Sequence, residues 1–210
     1  MSTVRSPPGG SVYGKRPTID DIPEPKVTGP WDVLVQVGAA GLCRTDLHSS
    51  EGQWAEKSGV QLPYVIGHEN AGWVREVGSA VTNVRSGDAV ILHPLVTCGL
   101  CPACRAGVDE QCEKQRLPGI DSDGGMAELM LTSARSVLKL APGLEPVAVA
   151  ALADAGLTAY HAVRPARRVI ASPSDSEHHR RPGRHPQRPG RPDGAGGNPP
   201  PEPGDPVLRP

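Results

Sequence analysis

No stretch of the 210 residues approaches the roughly 20 consecutive apolar positions that a bilayer-crossing helix needs. Also absent over residues 1–13 is the basic-then-apolar order of a secretory signal, so the expected location is the cytoplasm. Net charge is only −1 at pH 7. That is too little to draw the whole molecule to nucleic acid or to an anionic membrane, and neither is an expected partner. There is no internal repeat. Residues 164–210 contain no lysine, cysteine, threonine or aromatic residue, yet they hold 12 of the 24 prolines, 6 glycines and 9 arginines. Such a stretch cannot bury enough apolar surface to offset the entropy of ordering it. A Pro/Arg/Gly-rich disordered tail is expected there, with short polyproline segments at most.

Residues 1–163 keep every Cys, Trp and Tyr and read as one globular domain. The run Asp32-Val33-Leu34-Val35-Gln36-Val37 places Val33, Val35 and Val37 on one face, the two-residue period of a half-buried strand. Residues 71–77, 89–92, 126–131 and 136–140 read likewise, punctuated by Gly67, Gly72, Gly78, Gly87 and the pair Gly124-Gly125. Short strands at this spacing predict a mainly β fold with few helices, a small barrel or sandwich and not a parallel α/β sheet. One helix is expected over 147–163 behind Pro146, a residue suited to a first turn. Gly156 inside that helix costs about 1 kcal/mol relative to alanine.

Four of the five cysteines, Cys98, Cys101, Cys104 and Cys112, form C-x2-C-x2-C-x7-C within a lobe of about residues 95–116. In a reducing compartment, clustered thiols favour metal over disulfides. Four thiolates close a tetrahedral zinc shell and leave no open position for chemistry. Gly99 supplies the freedom to turn sharply around the ion. An iron–sulfur cluster shares the C-x2-C-x2-C opening, but it expects a shorter final gap and a proline after the fourth cysteine, where Glu113 stands. Cys43 lies apart, just after the first clear strand, and His68 precedes another. Taken singly, a lone cysteine is usually a small buried hydrophobe and a lone histidine a hydrogen-bonded residue. Together, at strand ends with carboxylates beside them, they are arranged like a catalytic zinc shell.

Residues from about 20 to 163 closely resemble the catalytic domain of the zinc-dependent medium-chain alcohol dehydrogenases. The resemblance is carried in order by Gly41-Leu42-Cys43-Arg44-Thr45-Asp46, Gly67-His68-Glu69, Gly87-Asp88, the four-cysteine lobe, Asp123-Gly124-Gly125-Met126-Ala127-Glu128 and Asp154-Ala155-Gly156-Leu157-Thr158. It implies a GroES-like barrel with two zinc ions per chain. One is held by the four cysteines. The other is held by Cys43, His68 and, as in bacterial members with the Asp-Ala-Gly-Leu-Thr motif, Asp154; no cysteine follows Cys112. Asp46 resembles the carboxylate that orients His68, and Glu69 the one behind the metal that approaches it transiently. Thr45 and His48 resemble the proton relay from substrate to solvent, and Arg44 the cation that meets the cofactor pyrophosphate. Trp54 is expected either to line the substrate cleft or to pack half-buried.

The implied reaction oxidises a small alcohol to an aldehyde or ketone, or runs in reverse, with NAD or NADP as hydride partner. In the family a Rossmann domain follows near residue 163. Here Asp193-Gly194-Ala195-Gly196-Gly197 has no strand before it and proline after it, so it is no phosphate-binding fingerprint. The expectation is therefore a C-terminally truncated or frameshifted member, inactive alone and of doubtful oligomerisation. The competing expectation is a non-catalytic, zinc-stabilised β-module for protein interaction.

Overall fold

The computed structural model describes residues 4–6, 13–14, 17–53 and 55–171. Trp54 and most of the arginine-rich tail lie outside the described residues. Strand β1 (Val4–Ser6) pairs antiparallel with β2 (Asp20–Ile22). The main sheet is built from β3 (Asp32–Gly41), β4 (Glu69–Val77), β5 (Ala89–Leu92), β6 (Leu129–Ser133) and β7 (Val137–Lys139), ordered β6-β3-β4-β5-β7. All four of its strand pairings are antiparallel.

This order forces the sheet to curl. The outermost strands β6 and β7 are consecutive in sequence and joined only by the 3-10 turn Ala134–Ser136. Laid flat, four inter-strand steps of about 4.8 Å would separate them by about 19 Å. The turn covers only about 8 Å at about 2 Å per residue, so the margins must approach each other as in a barrel. The connecting turn is bonded on both sides: His93 N–H, after β5, donates to the Ser136 carbonyl at 2.7 Å, and Ala134 N–H to that of Trp31, before β3, at 2.9 Å. The Asn83 amide donates to the Ala134 carbonyl at 2.9 Å.

Inside lie Val33, Val35, Val74, Val90, Leu92 and Met130. The alternation read from β3 is observed, with one difference. Leu34, on the opposite face, is also buried, covered by Leu129 with Ile22 and Val27 beside it. A bulge in β3 between Val37 and Ala39 shifts the register against β4. Bulges of this kind re-aim side chains: Val37 packs on the barrel core, whereas Ala39 joins Ala71, Val149 and Ala150. That second cluster seats the C-terminal segment on the sheet. The strand expected over 126–131 starts later because residues 124–126 cross over 65–67, donating to the carbonyls of Val65, Gly67 and Ile66 at 2.7–2.9 Å. The one expected over 136–140 is shorter, with Ser136 taken into the 3-10 turn.

Among the described residues, short helices punctuate the sheet: α1 (Arg44–Ser50), α2 (Ala55–Ser58), α3 (Pro102–Arg105) and α4 (Pro146–Val149). The single helix expected over 147–163 is in fact broken. α4 passes into a 3-10 turn, Ala150–Ala153, and a separate α5 (Ala155–Ala171) follows at a bend of 56°. Asp154 occupies the break at φ −124°, ψ −61°. The cause is tertiary: the buried Glu69 carboxylate accepts the Ala155 N–H at 2.9 Å, one of the donors that a helix start leaves free. Gly156 accordingly sits in a first turn and not mid-helix. Among the described residues, no single helix is long and apolar enough to cross a membrane.

Candidate metal centres and the cleft beside them

β3 ends at Gly41, where a side chain would run into the Glu69 carboxylate; glycine lets the two strands pass. The chain then turns through Cys43, which caps α1. The α1 residue Asp46 is 1% exposed. Its Oδ2 accepts the Cys43 N–H at 2.9 Å, while its Oδ1 lies 3.3 Å from His68 Nδ1, off the line of a hydrogen bond. One buried carboxylate thus lies against both Cys43 and His68.

His68 is placed by Gly67, whose φ of +98° suits glycine alone and at which a Cβ would lie 2.9 Å from the Met126 backbone nitrogen. On the other side of the ring, Nε2 lies 3.3 Å from Asp154 Oδ2. The ligand atoms of Cys43, His68 and Asp154 all fall within 4.8 Å of one another, bringing three separate segments to one point. Burial alone would lower the His68 pKa; Asp46 and then Cys43 outweigh it and raise it to about 9. Burial would likewise raise Cys43, but Thr45 and His68 bring its thiol below the usual range. Concentrated negative charge, a soft thiolate and an imidazole make a donor set suited to a borderline-soft divalent cation.

The other residues singled out from sequence sit around this point. Thr45 Oγ1 is 3.6 Å from Cys43 Sγ. Arg44 Nε donates to His48 Nε2 at 3.3 Å, and His48 Nδ1 is 3.9 Å from Glu51. Glu69 engages Ala155 through Oε1.

The second cluster is the four cysteines, whose sulfurs also lie within 4.8 Å of one another. All five cysteines are free thiols. Cys98 and Cys112 sulfurs are 3.6 Å apart, well beyond a disulfide bond of about 2.05 Å. Gly99, at φ +72°, makes the sharp turn expected from sequence. It lets the Leu100 and Cys101 N–H groups donate to Cys98 Sγ at 3.5 and 3.4 Å. These amides hold the Cys98 pKa down to about 6, whereas burial and then Asp109 push Cys104 up to about 12. Four sulfurs so close cannot all ionise without a cation between them. The Val96–Arg116 pair closes the two ends of the lobe on each other. Arg135, in the turn between β6 and β7, ties the lobe to the barrel by reaching Asp109 at 2.7 Å and Thr97 at 3.0 Å.

A cleft of about 670 Å³ opens beside the three-ligand point and takes in Thr45, His68 and Asp154. Its walls are mostly apolar, including Leu95, Leu117, Ile120 and Leu157. Sequence reasoning missed His93, Thr158 and His161, which also line it. Thr158 and His161 lie four and seven residues after Asp154, a helical spacing that could have flagged both. His93 follows β5 and carried no local signal.

Residues 29–142 match the family described as "Alcohol dehydrogenase GroES-like domain". The chain is 41% identical over 155 residues to a D-arabinose 1-dehydrogenase (NADP(+)) of Saccharolobus solfataricus, covering 73% of this chain and 43% of that protein. It is 39% identical over 158 residues to an NAD-dependent alcohol dehydrogenase of Sulfurisphaera tokodaii, covering 73% and 45%. The fold superimposes on the crystal structure of an alcohol dehydrogenase from Aeropyrum pernix with a TM-score of 0.74 at 47% identity, covering 78% of this chain and 48% of that one. The chain thus spans less than half the length of the curated relatives it matches.

Proposed function

The chain belongs to the alcohol dehydrogenase GroES-like domain family, and on that premise we propose that residues 1–163 are the catalytic domain of a zinc-dependent, NAD(P)-linked alcohol dehydrogenase acting on a small alcohol or carbonyl compound. The observation that carries this reading is the convergence of Cys43, His68 and Asp154 beside an apolar-walled cleft that His68 and Asp154 line. These three would hold the catalytic zinc, and Cys98, Cys101, Cys104 and Cys112 a structural one. Zinc, when bound, supplies Lewis acidity at the reacting oxygen, and the nicotinamide supplies the hydride acceptor or donor.

The chain's own residues do the rest. Asp46 keeps the His68 ring turned so that Nε2 faces the ligand point: its Oδ2 holds the Cys43 N–H and its Oδ1 sets negative charge 3.3 Å from Nδ1. Thr45 lines the cleft and takes the substrate hydroxyl proton. His48 lies three residues on along α1, on a neighbouring face, and passes that proton toward solvent. Arg44, now bonded to His48, meets the cofactor pyrophosphate. Leu95, Leu117 and Ile120 keep water from the reacting centre. Five free thiols suit a reducing compartment such as the cytoplasm.

Metal analysis of the purified chain tests the reading. Two zinc equivalents are expected, falling to one in Cys43→Ser. A single equivalent that Cys43→Ser leaves unchanged would overturn the catalytic site and favour the zinc-stabilised interaction module.

The 210 residues alone are further expected to turn over alcohols with NAD or NADP negligibly. Among the described residues there is no parallel strand pair of the kind on which dinucleotides dock. A steady-state rate in the usual enzymatic range of about 1–1,000 per second would refute this.

A further inference from the structure

Of the converging side chains, Asp154 is far less fixed by burial than His68. Its side chain is 33% exposed against 2% for His68, and it stands at a helix break, where no regular backbone pattern sets its direction. Two bonds compensate. The backbone just after it is held by Glu69, whose Oε1 accepts the Ala155 N–H at 2.9 Å. The carboxylate itself is engaged by Thr158, whose hydroxyl donates to Asp154 Oδ1 at 3.3 Å. The donor's own place is set by the helix, since Thr158 N–H bonds to the Asp154 carbonyl at 2.8 Å.

The two carboxylate oxygens thereby become inequivalent. Oδ1 is taken by the hydroxyl one turn along α5, and Oδ2 is left 3.3 Å from His68 Nε2, facing the ligand point. At 3.3 Å the bond is long for a hydroxyl donor. It acts as a tether that biases the side-chain rotamer, and its charged acceptor strengthens it.

We propose that Thr158 is a positioning residue that holds Asp154 with a single oxygen, Oδ2, presented to the metal. The proposal rests on the reading of Cys43, His68 and Asp154 as a metal site. Groups that orient a metal ligand in this way typically contribute 10–100-fold to metal affinity.

The test uses the full chain and cobalt(II), whose visible d–d absorption reports ligand geometry, with the Cys43→Ser titration subtracted to isolate the three-ligand site. Thr158→Val removes the hydroxyl and keeps the branched shape. It is expected to weaken cobalt(II) binding about tenfold and to shift the absorption bands, with the melting curve unchanged because Thr158 is exposed. Thr158→Ser should restore both affinity and spectrum. A Thr158→Val protein that titrates like the parent would overturn the proposal. So would a loss of affinity that Thr158→Ser does not recover, since that would assign the effect to helix packing. If the parent and Cys43→Ser take up the same amount of cobalt, the metal site itself fails, which is a separate outcome.

Discussion

Substituting serine for Cys112 is expected to remove one zinc equivalent and open the lobe between Val96 and Arg116 while the barrel stays folded. Cys112 is buried, its sulfur accepts the Cys98 N–H at 3.5 Å, and it lies 3.6 Å from the Cys98 sulfur. The lobe has little else to order it. None of its residues enters the apolar clusters of the barrel. Its ties to the barrel include the Ser136 hydroxyl, which donates to the Leu95 carbonyl at 2.7 Å, and an Arg135–Asp109 ion pair that is about 40% exposed at each end. An exposed pair contributes about 0–1 kcal/mol, whereas structural zinc contributes about 10–16 kcal/mol of apparent folding free energy in small zinc-finger peptides. The ion therefore dominates, and its loss is local. Limited proteolysis should cut first within residues 98–116, with the remainder resistant. Early cuts in β3 or β4, or an unaltered metal content, would contradict this.

Leu92→Ala should produce the opposite pattern, a global loss of stability with the lobe intact. Leu92 is 1% exposed and packs inside the barrel with Val35, Val90 and Val137. Truncating such a leucine costs about 2–5 kcal/mol, combining lost transfer free energy with the cavity left behind. Against a typical total of about 5–15 kcal/mol, that is a large share. The urea midpoint should fall with little change in slope, since the surface exposed on unfolding is nearly the same. Leu100→Ala serves as the control: Leu100 is 77% exposed, and a surface change of this kind should stay within about 0.5 kcal/mol.

The parts of this protein that were legible in the sequence are those whose determinants lie close together in the chain. The alternation of Val33 and Val35 identified a buried strand, and the spacing of Cys98, Cys101, Cys104 and Cys112 described a local loop that the structure closes as expected. Burial of Leu34 was not readable, because its cover comes from Leu129, nearly a hundred residues away. The break before α5 was hidden for a related reason. Residues 147–163 read as one helix, and the long-range bond from Glu69 to Ala155 that accompanies the break leaves no sign in that local pattern. That break is also what delivers Asp154 to His68. Its place in the site was therefore accessible from sequence only through the motif Asp154-Ala155-Gly156-Leu157-Thr158, not through periodicity.

The pairing of Asp32 with Ser133 across β3 and β6 has a consequence for biosynthesis. Roughly a hundred residues must leave the ribosome after Val33 and Val35 before the strand that pairs with that edge of β3 exists. Contacts of such separation form slowly, and a nascent chain that displays bare valines in the meantime is prone to stick to its neighbours. The thiol loop, complete within fifteen residues, needs no such wait and can capture its ion while the rest of the wall is still being translated.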